Sequence, residues 1–469
     1  MSQINESAIK TPGVYVNEIP SFPPSVAQVA TAIPAFIGYT QKAVDTDGDS
    51  LENIPTVVYS MLEYETYFGQ AENEADINVN VNITTNSGQI TSLSAKAAIN
   101  APSPNNMHHC LRAYFDNGGG KCYIVSVGVT GGAISLGDLE GGRDILEAYD
   151  EPTLILFPEG QSLSEADYYS LVSGAIDQCA KLQDRFTIID VHTQGNTTEN
   201  SMTGFRTAFT KSDNLNYAAA YYPNLKTTYD YSYDDADVDV SIVTDGGGPV
   251  TTTLDTLLNT QSTVYFAVRD AISKLSPTLP PGPAVAGIYS KVDGSRGVWK
   301  APANISINSI YDVTDTVTDQ EQESMNVDVT GGKSVNAIRT FAGRGILIWG
   351  ARTLDGNSNE WRYVPVRRFF IMVEESCKKA SAQFVFEPND ANTWIKVRAM
   401  IENYLTNLWR QGALAGAKPE HAFYVRIGLG QTMTAQDILE GRMIVEIGMA
   451  AVRPAEFIIL RFMHKMQES

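Results

Sequence analysis

Two short apolar segments, one near each end, constrain this chain more than any other feature. Near the start stands Thr11-Pro12-Gly13-Val14-Tyr15-Val16-Asn17-Glu18. It is followed by Phe22-Pro23-Pro24-Ser25-Val26 and Thr31-Ala32-Ile33-Pro34-Ala35-Phe36-Ile37-Gly38-Tyr39. Near the end stands Arg453-Pro454-Ala455-Glu456-Phe457-Ile458-Ile459-Leu460-Arg461-Phe462. Each is entered through a proline, which offers no N–H to a helix and pushes its predecessor toward extended backbone. Each is also rich in β-branched and aromatic side chains. An extended apolar arm needs a sheet to join. If that sheet belongs to a neighbouring copy, the chain is one link of a polymer.

The remaining composition is that of an ordinary globular chain. A length of 469 residues suggests two to four domains with ample core, and 43% of the residues are hydrophobic. No run of about 18 apolar residues occurs, so no transmembrane helix and no direct membrane insertion is expected. The first residues lack a charged segment followed by an apolar one, so no secretory leader is expected either. The expectation is assembly in the cytoplasm, with release only as part of a larger particle. Cys110, Cys122, Cys179 and Cys377 show no paired spacing and read as structural thiols of a reducing compartment.

A net charge of −20 argues against a nucleic-acid partner. The charge is uneven. Residues 331–469 hold 18 Lys and Arg against 13 Asp and Glu, a net of +5, which leaves a net of −25 for residues 1–330. An acidic body joined to a mildly basic C-terminal third suggests two faces with different neighbours. A solvated acidic exterior beside an incidental basic segment accounts for the same numbers.

Along the chain, Asp45-Thr46-Asp47-Gly48-Asp49 reads as a polar turn, and a short helix is predicted around Leu62–Phe68. Residues 77–83 alternate Ile77, Val79, Val81 and Ile83 with Asn78, Asn80 and Asn82, a half-exposed strand turned back at Asn86-Ser87-Gly88. From about residue 107 strands and helices alternate. Tyr123–Val127, Thr153–Phe157, Phe186–Val191 and Tyr217–Tyr222 read as strands; Gly142–Tyr149, Glu165–Leu182 and Met202–Lys211 read as helices. Runs such as Leu154-Ile155-Leu156-Phe157 are apolar on both faces, as parallel strands covered by helices require. A second, acidic hairpin is predicted over 229–250, then a helix over Thr263–Leu275 and an extended linker over Pro277–Pro283. Beyond it come strand Gly345–Leu354, helices Val366–Gln383 and Ala391–Gln411, strand Ala422–Leu429, helix Thr434–Leu439 and strand Arg442–Met449. There is no fixed-period repeat.

Candidate chemical motifs fail on spacing. Gly331-Gly332-Lys333-Ser334 invites a phosphate-loop reading, but Val327 stands where that loop needs a glycine. The Asp45–Asp49 cluster has its glycine at the fourth position, and Thr56 stands where a calcium loop needs a bidentate glutamate. His108-His109-Cys110 are adjacent, so on a helix they diverge by about 100° per residue and do not converge on one metal. Asp190-Val191-His192 ends a predicted parallel strand, where α/β enzymes place catalytic groups, yet no Gly-x-Ser-x-Gly elbow supplies a nucleophile. No catalytic residue, cofactor site or metal site is expected.

Helix 391–411 carries more. Trp394, Val397, Ile401, Tyr404, Leu405, Leu408 and Trp409 fall on one face, and Lys396, Asn403, Asn407 and Arg410 form a stripe opposite. That stripe is either a solvated face or a basic docking ridge for an acidic partner. Helix 366–383, with Arg367, Arg368, Lys378 and Lys379, is the rival ridge.

The opening 11–18 segment resembles that of contractile tail sheath proteins. So do Arg296-Gly297-Val298-Trp299-Lys300-Ala301-Pro302-Ala303-Asn304, Gly345-Ile346-Leu347-Ile348-Trp349-Gly350-Ala351-Arg352-Thr353, Asn407-Leu408-Trp409 and Pro454-Ala455-Glu456-Phe457-Ile458. They occur in order from residue 11 to 462. The likeness is to sheaths of extracellular phage-tail-like injection particles first and to phage tail sheaths second.

The resemblance implies a mixed α/β and α+β, multi-domain fold. Residues 1–25 form an N-terminal linking arm. Residues 26–330 form an outer acidic α/β domain with hairpins near 77–94 and 229–250. Residues 331–452 form an inner α/β C-terminal sheath domain, and 453–469 a second linking arm. It implies hexameric rings stacked helically around a tube, whose contraction drives the tube through a target envelope without nucleotide hydrolysis. Implied partners are further copies of the chain, the inner tube protein, baseplate and terminal cap proteins, and sister sheath subunits where they exist. The arm residues are Gly13, Val14, Tyr15, Val16, Asn17, Glu18, Glu456, Phe457, Ile458, Ile459 and Leu460; Lys396, Asn403, Asn407 and Arg410 would face the tube. Another shell-forming protein with exchanged arms, and a cytoplasmic α/β enzyme, are the alternatives.

Overall fold

Runs that are apolar at every position become the middle of a sheet covered on both faces. The computed structural model describes residues 25–193, 197–329 and 331–461. In it Ala218–Tyr222, Phe186–Asp190, Leu154–Leu156, Pro34–Thr40 and Cys122–Val129 lie side by side, all parallel. Their side chains are almost entirely buried. The sheet has nine strands. Thr56–Val58 closes one edge antiparallel, and on the other side Val335–Phe341, Gly345–Ile348 and Ile305–Ser306 follow in that order. Short antiparallel edge strands limit the exposed ladder groups. No helix of the described residues is long and apolar enough to cross a membrane.

The chain divides into two compact units. One holds 374–452 with the described residues up to Val29; the other holds 30–373 with the residues from Arg453 onward. The boundary anticipated at residue 331 differs from this division. Val335, Asn336 and Ala337 pair in parallel with Ala220, Tyr221 and Tyr222, so residues 331–373 complete the large sheet. The division instead falls within helix Val364–Ser381.

The two anticipated hairpins form one sheet. Ile77–Asn86 pairs antiparallel with Gln89–Ile99 around Ser87-Gly88, and Val238–Thr244 pairs antiparallel with Val250–Thr253. Val238–Thr244 also runs parallel to Ile77–Asn86 in register from Val238↔Ile77 to Thr244↔Ile83. The alternate residues Ile77, Val79, Val81, Val238 and Val240 bury against Leu254, Leu257, Val264, Tyr265 and Val268, a satellite core of its own.

The extended linker over Pro277–Pro283 is shorter than anticipated, because helix Gly282–Arg296 starts inside it. The Asp190 carboxylate at the end of its strand accepts the Gly282 N–H at 2.5 Å, satisfying one of the free donors of the first turn. Gly287 passes over the Tyr114 carbonyl so closely that a Cβ would lie 2.4 Å from it. Glycines that look like helix breakers are what let this helix pack on helix Met107–Asp116. The helix anticipated at Gly142–Tyr149 begins earlier, at Leu136, because Ser135 caps it through the Asp138 N–H.

Asp190 therefore has a structural task. Burial pushes its carboxyl up to about 7, against the Gly282 N–H that favours the charged form. The folded chain thus holds a proton that the unfolded chain releases near pH 4. Stability from this group is complete below that pH and is lost as pH rises toward 7, by at most about 1.4 kcal/mol per pH unit. Asp190→Asn keeps an acceptor for Gly282 but cannot ionise. Its melting temperature should change less between pH 5 and pH 7.5 than that of the unaltered chain; equal changes would refute this role.

Candidate functional site

Four of the five C-terminal arm residues are exposed. From Val452 to Arg461 the backbone forms no helix, turn or strand. Phe457, Ile458, Ile459 and Leu460 are 70, 78, 78 and 71% exposed, four consecutive apolar side chains in water. Such a patch is a liability in a monomer and marks a surface to be covered. Gly13, Val14, Tyr15, Val16, Asn17 and Glu18 lie outside the described residues.

Glu456, at the root of this arm, is held. Arg352 donates to it from Nε at 3.0 and 3.2 Å and from Nη2 at 2.7 Å; Asn326 Nδ2 donates at 2.8 Å and Tyr363 Oη at 3.0 Å. Arg352 is buried and also donates to the Asn326 carbonyl at 2.9 Å. Burial works to raise the Glu456 carboxyl, but these donors and the guanidinium charge hold it below its ordinary value. The two partners come from motifs singled out above, 104 residues apart; nothing in their spacing indicates that they meet.

The smaller unit holds a short sheet. Phe423–Arg426 pairs antiparallel with Glu446–Met449, and neither strand has a further strand beside it among the described residues. Val425 is buried and Phe423 and Ile447 half-buried on the side toward helix Ala391–Arg410. On the other side Tyr424 lies across Gly448, where a Cβ would sit 2.2 Å from its ring, and its hydroxyl donates to Glu446 at 2.8 Å. Past Met449 the backbone is bonded to a neighbouring segment, Ala415 N–H donating to the Ala450 carbonyl and Val452 N–H to the Ala413 carbonyl. A two-stranded sheet with no further strand among the described residues can still be extended at an edge.

Helix Ala391–Arg410 matches the amphipathic pattern. Asp390 caps it through the Thr393 N–H at 3.0 Å. Val397, Ile401, Tyr404, Leu405 and Leu408 are buried, and both indoles are half-buried with their N–H groups used, Trp394 on Asn389 and Trp409 on the Gly416 carbonyl. Lys396, Asn403, Asn407 and Arg410 are all exposed. On the rival helix the arginines are structural. Arg368 binds Asp293 at 2.5 Å and stacks on Tyr289, and Arg367 lies between Tyr217 and Trp361, 4.6 Å from each ring. Lys378 and Lys379 both pair with Glu375.

Part of the basic charge of the C-terminal third is internal. Lys333, Arg352, Arg367 and Arg368 are buried, so these four of its 18 Lys and Arg do not reach a docking face. Lys333 of the phosphate-loop-like segment donates to the Phe209 carbonyl and lies over its ring. In the Asp45–Asp49 turn, Asp45 Oδ1 accepts the Asp47 and Asp49 N–H groups at 2.9 Å. His108 meets Glu65 at 3.1 Å, and His109 stacks on Tyr229 and is lowered to about 4 by burial and by His108. His192 contacts the Leu163 carbonyl at 3.3 Å. Each of these motifs thus makes local structural contacts.

Comparison with known proteins gives a consistent outcome. Residues 357–464 match the phage tail sheath C-terminal domain family. The chain is similar over 97% of its length to the sheath complex, in its contracted state, of an extracellular contractile injection system, PVC; identity is 33%, coverage of that chain 98% and the TM-score 0.66. It is similar over 97% of its length to the contracted helical sheath of the anti-feeding prophage, at 32% identity, 100% coverage of that chain and a TM-score of 0.66. A tail sheath protein of Vibrio phage KVP40 is 25% identical over 130 residues, 28% of this chain; the match spans about a fifth (19%) of that curated relative's length.

Proposed function

We infer a mechanism from one premise: this chain belongs to the contractile tail sheath family and is a contractile sheath subunit. Its role is structural. Copies stack as hexameric rings around a rigid inner tube, and a baseplate signal collapses the long, narrow sleeve into a short, wide one that drives the tube through an envelope. Assembly takes place in the cytoplasm, and terminal cap proteins close the particle. Another anti-feeding prophage match, at 32% identity over 98% of this chain, is to a chain of a baseplate structure, which supports contact with a baseplate.

The observation that carries this reading is the bare run Phe457–Leu460, for which the two-stranded sheet of another copy would be the acceptor. Strand 13–18 of one copy and strand 455–462 of another complete the sheet of a third copy's smaller unit. Main-chain ladders suit a fabric whose bodies must slide and rotate, because they are directional and indifferent to distant surfaces. The exposed stripe of Lys396, Asn403, Asn407 and Arg410 faces the tube.

Negative-stain microscopy of the purified protein tests the assembly. Hollow striated cylinders are expected. Closed shells, flat lattices or dispersed particles at concentrations that saturate assembly would overturn it.

A further inference from the structure

We propose that Glu456 is a positioning residue for the C-terminal arm: its ion pair with Arg352, closed by Asn326 and Tyr363, fixes the arm's root so that Phe457–Leu460 leave the larger unit at one set place. The proposal rests on the strand-exchange reading and deepens it.

The contrast along five residues is the argument. Glu456 accepts hydrogen bonds from three side chains, one of them the buried guanidinium of Arg352. The next four side chains are largely exposed. The fork of Arg352 grips both carboxylate oxygens, a geometry that sets direction as well as position. Arg352 is itself immobilised by the Asn326 carbonyl, and its backbone N–H by Asn336 Oδ1 at 2.7 Å. A donor strand that starts from a fixed root searches less space before it finds an acceptor edge, so its effective concentration is higher. The Glu456 side chain therefore acts through the arm, by fixing the point from which the strand departs.

The described cysteines are all buried, so a spin label on Ala455→Cys reports the root selectively in the full chain. In the otherwise unaltered chain the label should be immobilised. Glu456→Ala should free it and cut the yield of sleeves at least tenfold. Glu456→Gln, which keeps an acceptor but loses the charge, should fall between. The exchanged pair Arg352→Glu with Glu456→Arg should restore both readouts in part, which a merely bulky role for Glu456 does not predict. An immobile label in Glu456→Ala, or a freed label with normal sleeve yield, overturns the proposal. The double variant Ile458→Asp, Ile459→Asp separates the premise: it should keep the label immobile and abolish sleeves. Normal sleeves from that variant would sink strand exchange while leaving the anchored root standing.

Discussion

A chain that starts at residue 21 is expected to stay folded and soluble and to form no sleeves. The nine-stranded sheet begins at Pro34, so the deletion leaves every strand of that sheet in place. What it removes is one of two strands that we propose are lent to neighbours. About five ladder hydrogen bonds at ~1 kcal/mol net give roughly 5 kcal/mol. Ordering a ten-residue arm costs about 10–20 kcal/mol. Burial of four or so apolar side chains, at about 1.5–3 kcal/mol each, supplies roughly 6–12 kcal/mol more. The total comes out near balance, so one arm alone holds weakly and both are needed for a lasting link. Losing either should therefore abolish the polymer instead of softening it. Sedimentation velocity should show monomers, with a melting temperature close to that of the full chain. Normal cylinders from the shortened chain would refute the exchanged strand.

Reversing Lys396 and Arg410 together is expected to stop assembly on tubes while leaving the fold intact. Both side chains are exposed on the face of helix Ala391–Arg410 opposite its buried stripe. A single exposed charge pair is worth about 0.2–1 kcal/mol, weak enough to release during a stroke. Two such pairs in each of six copies would sum to roughly 2–12 kcal/mol per ring through multivalency. Lys396→Glu with Arg410→Glu turns that attraction into repulsion. The same contact should weaken as salt shortens the screening length from about 10 Å at 0.1 M to about 3 Å at 1 M. Co-sedimentation of the double variant with purified tubes measures it. Full-length extended particles from that variant would place the tube contact elsewhere.

Much of this molecule was legible before folding. Leu154–Leu156 and Phe186–Asp190 are apolar at every position, and only a strand covered on both faces tolerates that. Glu165–Leu182 and Ala391–Arg410 keep a helical apolar period and begin at capping residues, Ser164 and Asp390. The segment from Pro454 to Leu460 is apolar and proline-led, and it forms no helix. These are local properties, set by backbone sterics and side-chain hydrophobicity over a few residues.

What local properties could not convey is which distant segments meet. The hairpins at 77–99 and 238–253 share one sheet because a parallel register joins them, and no pattern within either hairpin encodes the other. Helix Gly282–Arg296 reads as a broken segment until the Asp190 carboxylate and the Tyr114 carbonyl are set beside Gly282 and Gly287. Nothing in the basic count of the C-terminal third shows that Arg352, Arg367 and Arg368 turn inward, to Glu456, Tyr217 and Asp293. Charge and periodicity are additive along a chain; burial and pairing depend on partners hundreds of residues away, and folding alone brings those partners together.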